Sequence, residues 1–233
     1  MAIQMHTING VSDVKTILEN YPPFNDTSRY SITVSGDVIF VKKAGTNTNI
    51  LLFYVSSSSS TYASNDGFNW YTGAGPSFSI TQTAGPTVAM TTSKGVIFAT
   101  HANPSRDSYS SSTGAHYFTV MLAKDKNGNA AMACSGLNVA NIGYIYASAE
   151  NETISEISWP QVIRPNTTGD IGWQFPARTT QQIVTCPIAT HPSDGTNYID
   201  GGLLLLVTPV LPFGTVRIGD KNYATNGIMA LED

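Results

Sequence analysis

The chain has 233 residues; 41% are hydrophobic, only 12% are Asp, Glu, Lys or Arg, and the formal net charge is −4. This is enough apolar material for a buried core and excludes the low-hydrophobicity, high-charge make-up of a disordered chain. The densest basic cluster is the pair Lys42-Lys43, which excludes a broad surface for nucleic-acid phosphates.

Met1 to His6 lacks the basic-then-apolar order of a signal peptide, and no stretch nears the roughly 20 apolar residues of a transmembrane helix. Ser12 can serve as an N-cap. Val14, Ile17, Leu18 and Tyr21 follow at helical spacing, so a helix is predicted over about 12–21, stopped by Pro22-Pro23. The period then switches to two. Tyr30 to Val34, Val38 to Val41 and Ile50 to Val55 read as strands, separated by Ser35-Gly36 and Gly45-Thr46-Asn47 turns.

Ser56 to Ser60 is a loop of five serines. Phe78 to Met90 and Val96 to Ala99 give further strands, and Asn103 to Gly114 is a long polar loop. His116 to Ala123 and Ala130 to Cys134 flank an Asn127-Gly128 pair, the strongest hairpin signal present. Ile142 to Ala147, Ile154 to Trp159, Ile183 to Ala189 and Leu203 to Val207 read as strands, with an irregular stretch from Pro160 to Gln181. Thr215 to Leu231 closes the chain as a hairpin.

The predicted fold is therefore mainly β: a β-sandwich-like or jelly-roll-like body of antiparallel hairpins with one short N-terminal α-helix. It is read as a single domain over residues 1–233. The stretch near 160–180 is the one place where a subdivision would fall.

Charged residues ordinarily make up about 25% of a soluble domain. Here Ser, Thr, Asn and Gly replace them, which predicts a neutral, hydrogen-bonding surface suited to secreted β proteins or to subunits covered by neighbours. Cys134 and Cys186 are too few for a disulfide framework and are expected as buried free thiols. The Asn-x-Ser/Thr triplets at Asn25, Asn151 and Asn166 are expected by chance in such a composition.

Chemistry-bearing patterns are sparse. Ser64-Asn65-Asp66-Gly67-Phe68-Asn69-Trp70 resembles a shortened Asp-box turn of sialidase-type propellers. It occurs once, where a propeller repeats it, so a hairpin with a packed Trp is the plainer reading. Asp125, Asn127 and Asn129 alternate as in a calcium loop, but no bidentate Glu follows. His6, His101, His116 and His191 lack zinc-site spacing, and Gly-x-Ser-x-Gly is missing. The 16 acidic residues are scattered, mostly in turns, where a glycosidase needs a facing pair. No catalytic residue, metal or cofactor is expected. The candidate ligand or interface residues are aromatics placed near turns: Trp70, Tyr71, Tyr109, Trp159 and Trp173.

Gly201 to Pro209, followed by Val216-Arg217-Ile218-Gly219-Asp220-Lys221-Asn222-Tyr223 and Gly227-Ile228, resembles the closing segment of tailed-bacteriophage virion proteins. The likeness covers the C-terminal segment alone and carries over no catalytic residue. It implies a non-enzymatic structural subunit of head, neck, tail or baseplate, made in the host cytoplasm and located in the virion. Its partners would be its own copies and other virion proteins, with loops 103–114 and 160–181 or an open sheet edge reaching neighbours. The alternative is a carbohydrate- or receptor-binding β-module using loop-tip aromatics. A glycoside hydrolase ranks third.

Overall fold

The computed structural model describes residues 2–55, 67–72, 75–81, 88–99, 118–125, 128–138, 142–149, 155–157, 185–187, 199–200, 204–206, 214–225 and 229–233. Tyr109, Trp159, Trp173, the serine run and the loops at 103–114 and 160–181 lie outside these residues.

A strand, β1 (Gln4–Thr7), precedes the helix, α1 (Val11–Asn20). The helix buries Val14, Ile17 and Leu18, with Val11 and Tyr21 packed at the margin. Burying each such aliphatic side chain is worth about 1.5–3 kcal/mol, more than a short helix gains from propensity alone. The expected N-cap is corrected. Gly10 occupies that position without a side-chain bond, and Ser12 sits inside the helix, where its carbonyl accepts from the Thr16 hydroxyl at 2.9 Å. Asp13 supplies the N-terminal anchor instead, its Oδ2 accepting the Asn9 amide at 2.8 Å. Its carboxylate also complements the helix dipole. Tyr21 is extended, and the Pro22-Pro23 pair, joined by a cis bond, ends the helix.

Five strands then form an antiparallel meander in the order β2-β3-β4-β5-β6. They are β2 (Tyr30–Ser35), β3 (Val38–Lys43), β4 (Asn49–Tyr54), β5 (Gly67–Thr72) and β6 (Gly75–Thr81). The β2–β3 turn holds Gly36 at φ 58, a left-handed backbone that glycine adopts without a Cβ penalty. Gly67 to Trp70 of the Asp-box-like segment lie in β5, paired with β4 and β6, while Ser64 to Asp66 lie outside the described residues.

The largest sheet has eight strands. Its path runs β1-β7-β8-β9-β10-β11-β12, with β14 (Ile199–Asp200) beside β9. The members are β7 (Val88–Thr91), β8 (Gly95–Ala99), β9 (Phe118–Asp125), β10 (Ala130–Asn138), β11 (Ile142–Ala149) and β12 (Ser155–Ile157). The predicted Asn-Gly hairpin is there: β9 pairs with β10 from Lys124↔Ala130 onward, and Gly128 has φ 78. A third sheet of five strands has the order β13-β15-β18-β17-β16. It comprises β13 (Thr185–Pro187), β15 (Leu204–Leu206), β16 (Gly214–Ile218), β17 (Lys221–Thr225) and β18 (Met229–Glu232). Cys134 lies in β10 and Cys186 in β13.

The core shows why alternation matters. Val96, Phe98, Val120, Leu122, Ala130 and Met132 of the large sheet pack in one cluster with Ile39, Val41, Leu51 and Phe53 of the meander and with α1. The alternate positions Met90, Ile97, Met121, Ala123 and Ala131 are also buried, so the large sheet is covered on both faces over these residues of β7 to β10. The body is thus sheet packed on sheet, as the sequence predicts, and β18 of the third sheet approaches it at β8. Among the described residues, no helix is long and apolar enough to cross a membrane.

Candidate interaction surface

Strand β2 is an end strand of the meander. Its ladder to β3 pairs Ser35 with Val38, Thr33 with Phe40 and Ser31 with Lys42. In an antiparallel hairpin closed by two residues, those flanking pairs exchange the hydrogen bonds. Ile32 and Val34 therefore turn their N–H and C=O groups outward. The Tyr30 amide is occupied by the Asp26 carbonyl at 3.0 Å. From Ser31 to Ser35, among the described residues, no further backbone partner lies along that outer edge. Exposure rises along the strand, and Val34 (38% exposed) joins Met5 (59%) as the exposed large hydrophobics among the described residues.

Edge strands normally carry devices against pairing with other chains: charge, proline or short length. Pro76 stands in β6, Glu156 in β12, Pro187 in β13 and Arg217 in β16, while β1 has four residues. β2 has six residues and none of these devices. The alternation of Tyr30, Ile32 and Val34 revealed a strand. That it would be an end strand was not readable, although its lack of charge was the available signal.

A second small cluster ties β1 to the body. The His6 ring contacts the Tyr21 ring edge-on at 5.7 Å, and His6 Nε2 lies 3.0 Å from the Thr91 hydroxyl. The Tyr21 hydroxyl donates to Gln4 Oε1 at 2.8 Å. Burial lowers the His6 pKa below its ordinary 6.5. The unfolded chain then takes up its proton first as pH falls. The stability His6 contributes is present above pH 6.5 and is lost as the pH drops through the lower folded value. Urea unfolding between about pH 7 and about pH 5 is expected to show a steeper loss of stability for the native chain than for His6→Gln. Equal slopes would remove His6 from the account.

The calcium-like loop has another use. Arg29 donates through Nη2 to the Asn129 side-chain oxygen and through Nη1 to the Gly128 carbonyl. The guanidinium lies 5.8 Å from the Tyr30 ring centroid. The Ala130 amide donates to the Tyr30 hydroxyl at 2.8 Å. One oxygen of the calcium-like pattern, that of Asn129, thus faces a cationic side chain that links the two sheets. Among the described residues, no group of three or more His, Cys, Asp or Glu is placed to hold a metal.

Of the five candidate aromatics, Trp70 and Tyr71 lie in β5, an interior strand of the meander. Trp70 is the register partner of Leu51, which is fully buried. Tyr71 follows a register shift and pairs with Pro76 close to the β5–β6 connection. No protein-family model, curated protein or solved structure matches the chain.

Proposed function

We propose that this chain is a structural subunit of a tailed-bacteriophage particle, a head, neck, tail or baseplate component that acts by assembling with its own copies and other virion proteins. It performs no catalysis. The observation that carries this reading is the pairing of a charge-poor composition, 12% ionisable residues of the four types, with an unguarded six-residue sheet edge. A neutral surface of hydroxyl and amide groups loses little on being covered by protein, whereas burying unpaired charge is costly. The likeness of the C-terminal segment to virion proteins supplies the kind of particle.

Sedimentation velocity and mass photometry of the purified full chain test it. Concentration-dependent rings or higher oligomers are expected. A stable monomer at all concentrations ends the proposal. Glycan-array binding abolished by Trp159→Ala, on a chain that does not assemble, would transfer the role to the carbohydrate-binding alternative.

A further inference from the structure

We infer that the outer edge of β2 is a self-pairing site, at which a second copy of this chain docks its own β2 antiparallel across a two-fold axis centred on Thr33. This deepens the assembly reading and rests on it.

The register is the one in which the free backbone groups of Ile32 and Val34 satisfy one another. Ile32 and Val34 present outward N–H and C=O groups, alternating with Thr33, which bonds inward to Phe40 of β3. An antiparallel partner must supply hydrogen-bonded pairs at both positions. The same strand rotated by a two-fold does so: Ile32 faces Val34 of the second copy, and Val34 faces its Ile32. Four N–H···O=C bonds close, and Thr33 meets Thr33 in the central non-hydrogen-bonded pair. Thr–Thr and aliphatic pairs are among the favourable cross-strand combinations.

Self-complementarity identifies the occupant. An isologous contact places each residue opposite its own copy's patch, so any charge on the edge would meet a like charge nearby. Tyr30-Ser31-Ile32-Thr33-Val34-Ser35 carries none, and Ser31 falls opposite Ser35 of the other copy. The exposed Val34 side chain is covered by this arrangement, and Thr33 and Ser35, both exposed, stay free of clashes with the core. The two five-stranded meanders then join into one continuous sheet.

The test uses the full chain with single cysteines at exposed positions. In the proposed register the two Thr33 Cα atoms sit at roughly 4.5 Å, within the span a disulfide bridges. The two Ser35 Cα atoms sit more than about 13 Å apart, being four residues out of step. Under mild oxidation, Thr33→Cys is expected to yield a covalent dimer on non-reducing gels, while Ser35→Cys and the native chain with Cys134 and Cys186 do not. Val34→Lys, at a position already exposed, is expected to weaken self-association about ten-fold or more by placing like charges on the edge. Unchanged thermal unfolding of the variants shows that they fold.

Native chain that assembles while Thr33→Cys stays unlinked, or while Val34→Lys associates normally, overturns the β2 site and leaves the assembly reading standing. Equal cross-linking of Thr33→Cys and Ser35→Cys means collision without register and also overturns it. A native chain that remains monomeric overturns both.

Discussion

Gly95→Ala is expected to destabilise the fold by about 3 kcal/mol or more, a large part of the stability of an ordinary domain. Gly95 opens β8 and pairs with Ala123 of β9. A Cβ at this position would lie 2.1 Å from the Leu122 carbonyl oxygen and 3.1 Å from the Ala123 Cα. Both obstacles are backbone, so no change of rotamer relieves them. The strand is also pinned. The Gly95 amide donates to the buried Thr92 hydroxyl at 3.1 Å, and the Gly95 carbonyl accepts from the Thr92 amide at 2.9 Å. One residue on, the Ser93 amide donates to Asp233 Oδ1 at 2.9 Å, which ties the same turn to the C-terminal sheet. Moving β8 away from β9 would break this turn and open a core packed on both faces of the sheet. Urea unfolding and soluble yield measure the effect. Gly10→Ser is the matched control, because a Cβ at Gly10 meets nothing within 4 Å and serine is a favourable N-cap. A Gly95→Ala chain as stable as that control would mean that β8 and β9 do not approach as described.

The sequence made some of this plain. The two-residue period from Tyr30 to Tyr54 and the Asn127-Gly128 turn announced hairpins, because local backbone preferences decide both. Val14, Ile17 and Leu18 announced one helical face for the same reason. The cap was misplaced because Ser12 is as good an N-cap type as any, yet Asp13 reaches back to Asn9 and lets the helix start a residue earlier. Strand β1 was not legible: Gln4-Met5-His6-Thr7 has no strong β pattern and is held by pairing with Val88 to Thr91, over eighty residues away along the sequence. Gly95 gave no sign of its importance, since a close backbone approach depends on which strand becomes its neighbour. The same limit hid the β2 edge. Trp70 and Tyr71 were legible as aromatics near a turn, but the partners of their strand, β4 on one side and β6 on the other, follow only from the pairing.

Phe98→Ala is expected to cost about 3–5 kcal/mol, the range for removing a fully buried aromatic. Phe98 of β8 and Phe53 of β4 are both buried, and their ring centroids are 5.3 Å apart at a 45° tilt. These rings belong to different sheets, so their contact reports on the docking of the meander against the large sheet. Each truncation removes the same ring–ring interface, and the double variant Phe53→Ala/Phe98→Ala should cost less than the sum of the two singles. A coupling of about 0.5–1.5 kcal/mol is expected from a tilted aromatic pair. Ile97 provides the internal comparison. It is the next residue on β8, equally buried, but alternation sends it to the opposite face and outside the cluster that contains Phe53. Ile97→Val should cost about 0.5–1.5 kcal/mol and should add to Phe53→Ala with no coupling beyond error. Urea unfolding of the six chains, including the native one and the Phe53/Ile97 double variant, completes both cycles. Coupling of Phe53 to Ile97 in place of Phe98 would mean that β8 presents its other face to the meander. The core would then have to be rebuilt one residue out of step, exchanging Val96 and Phe98 for Ile97 as the residues between the sheets.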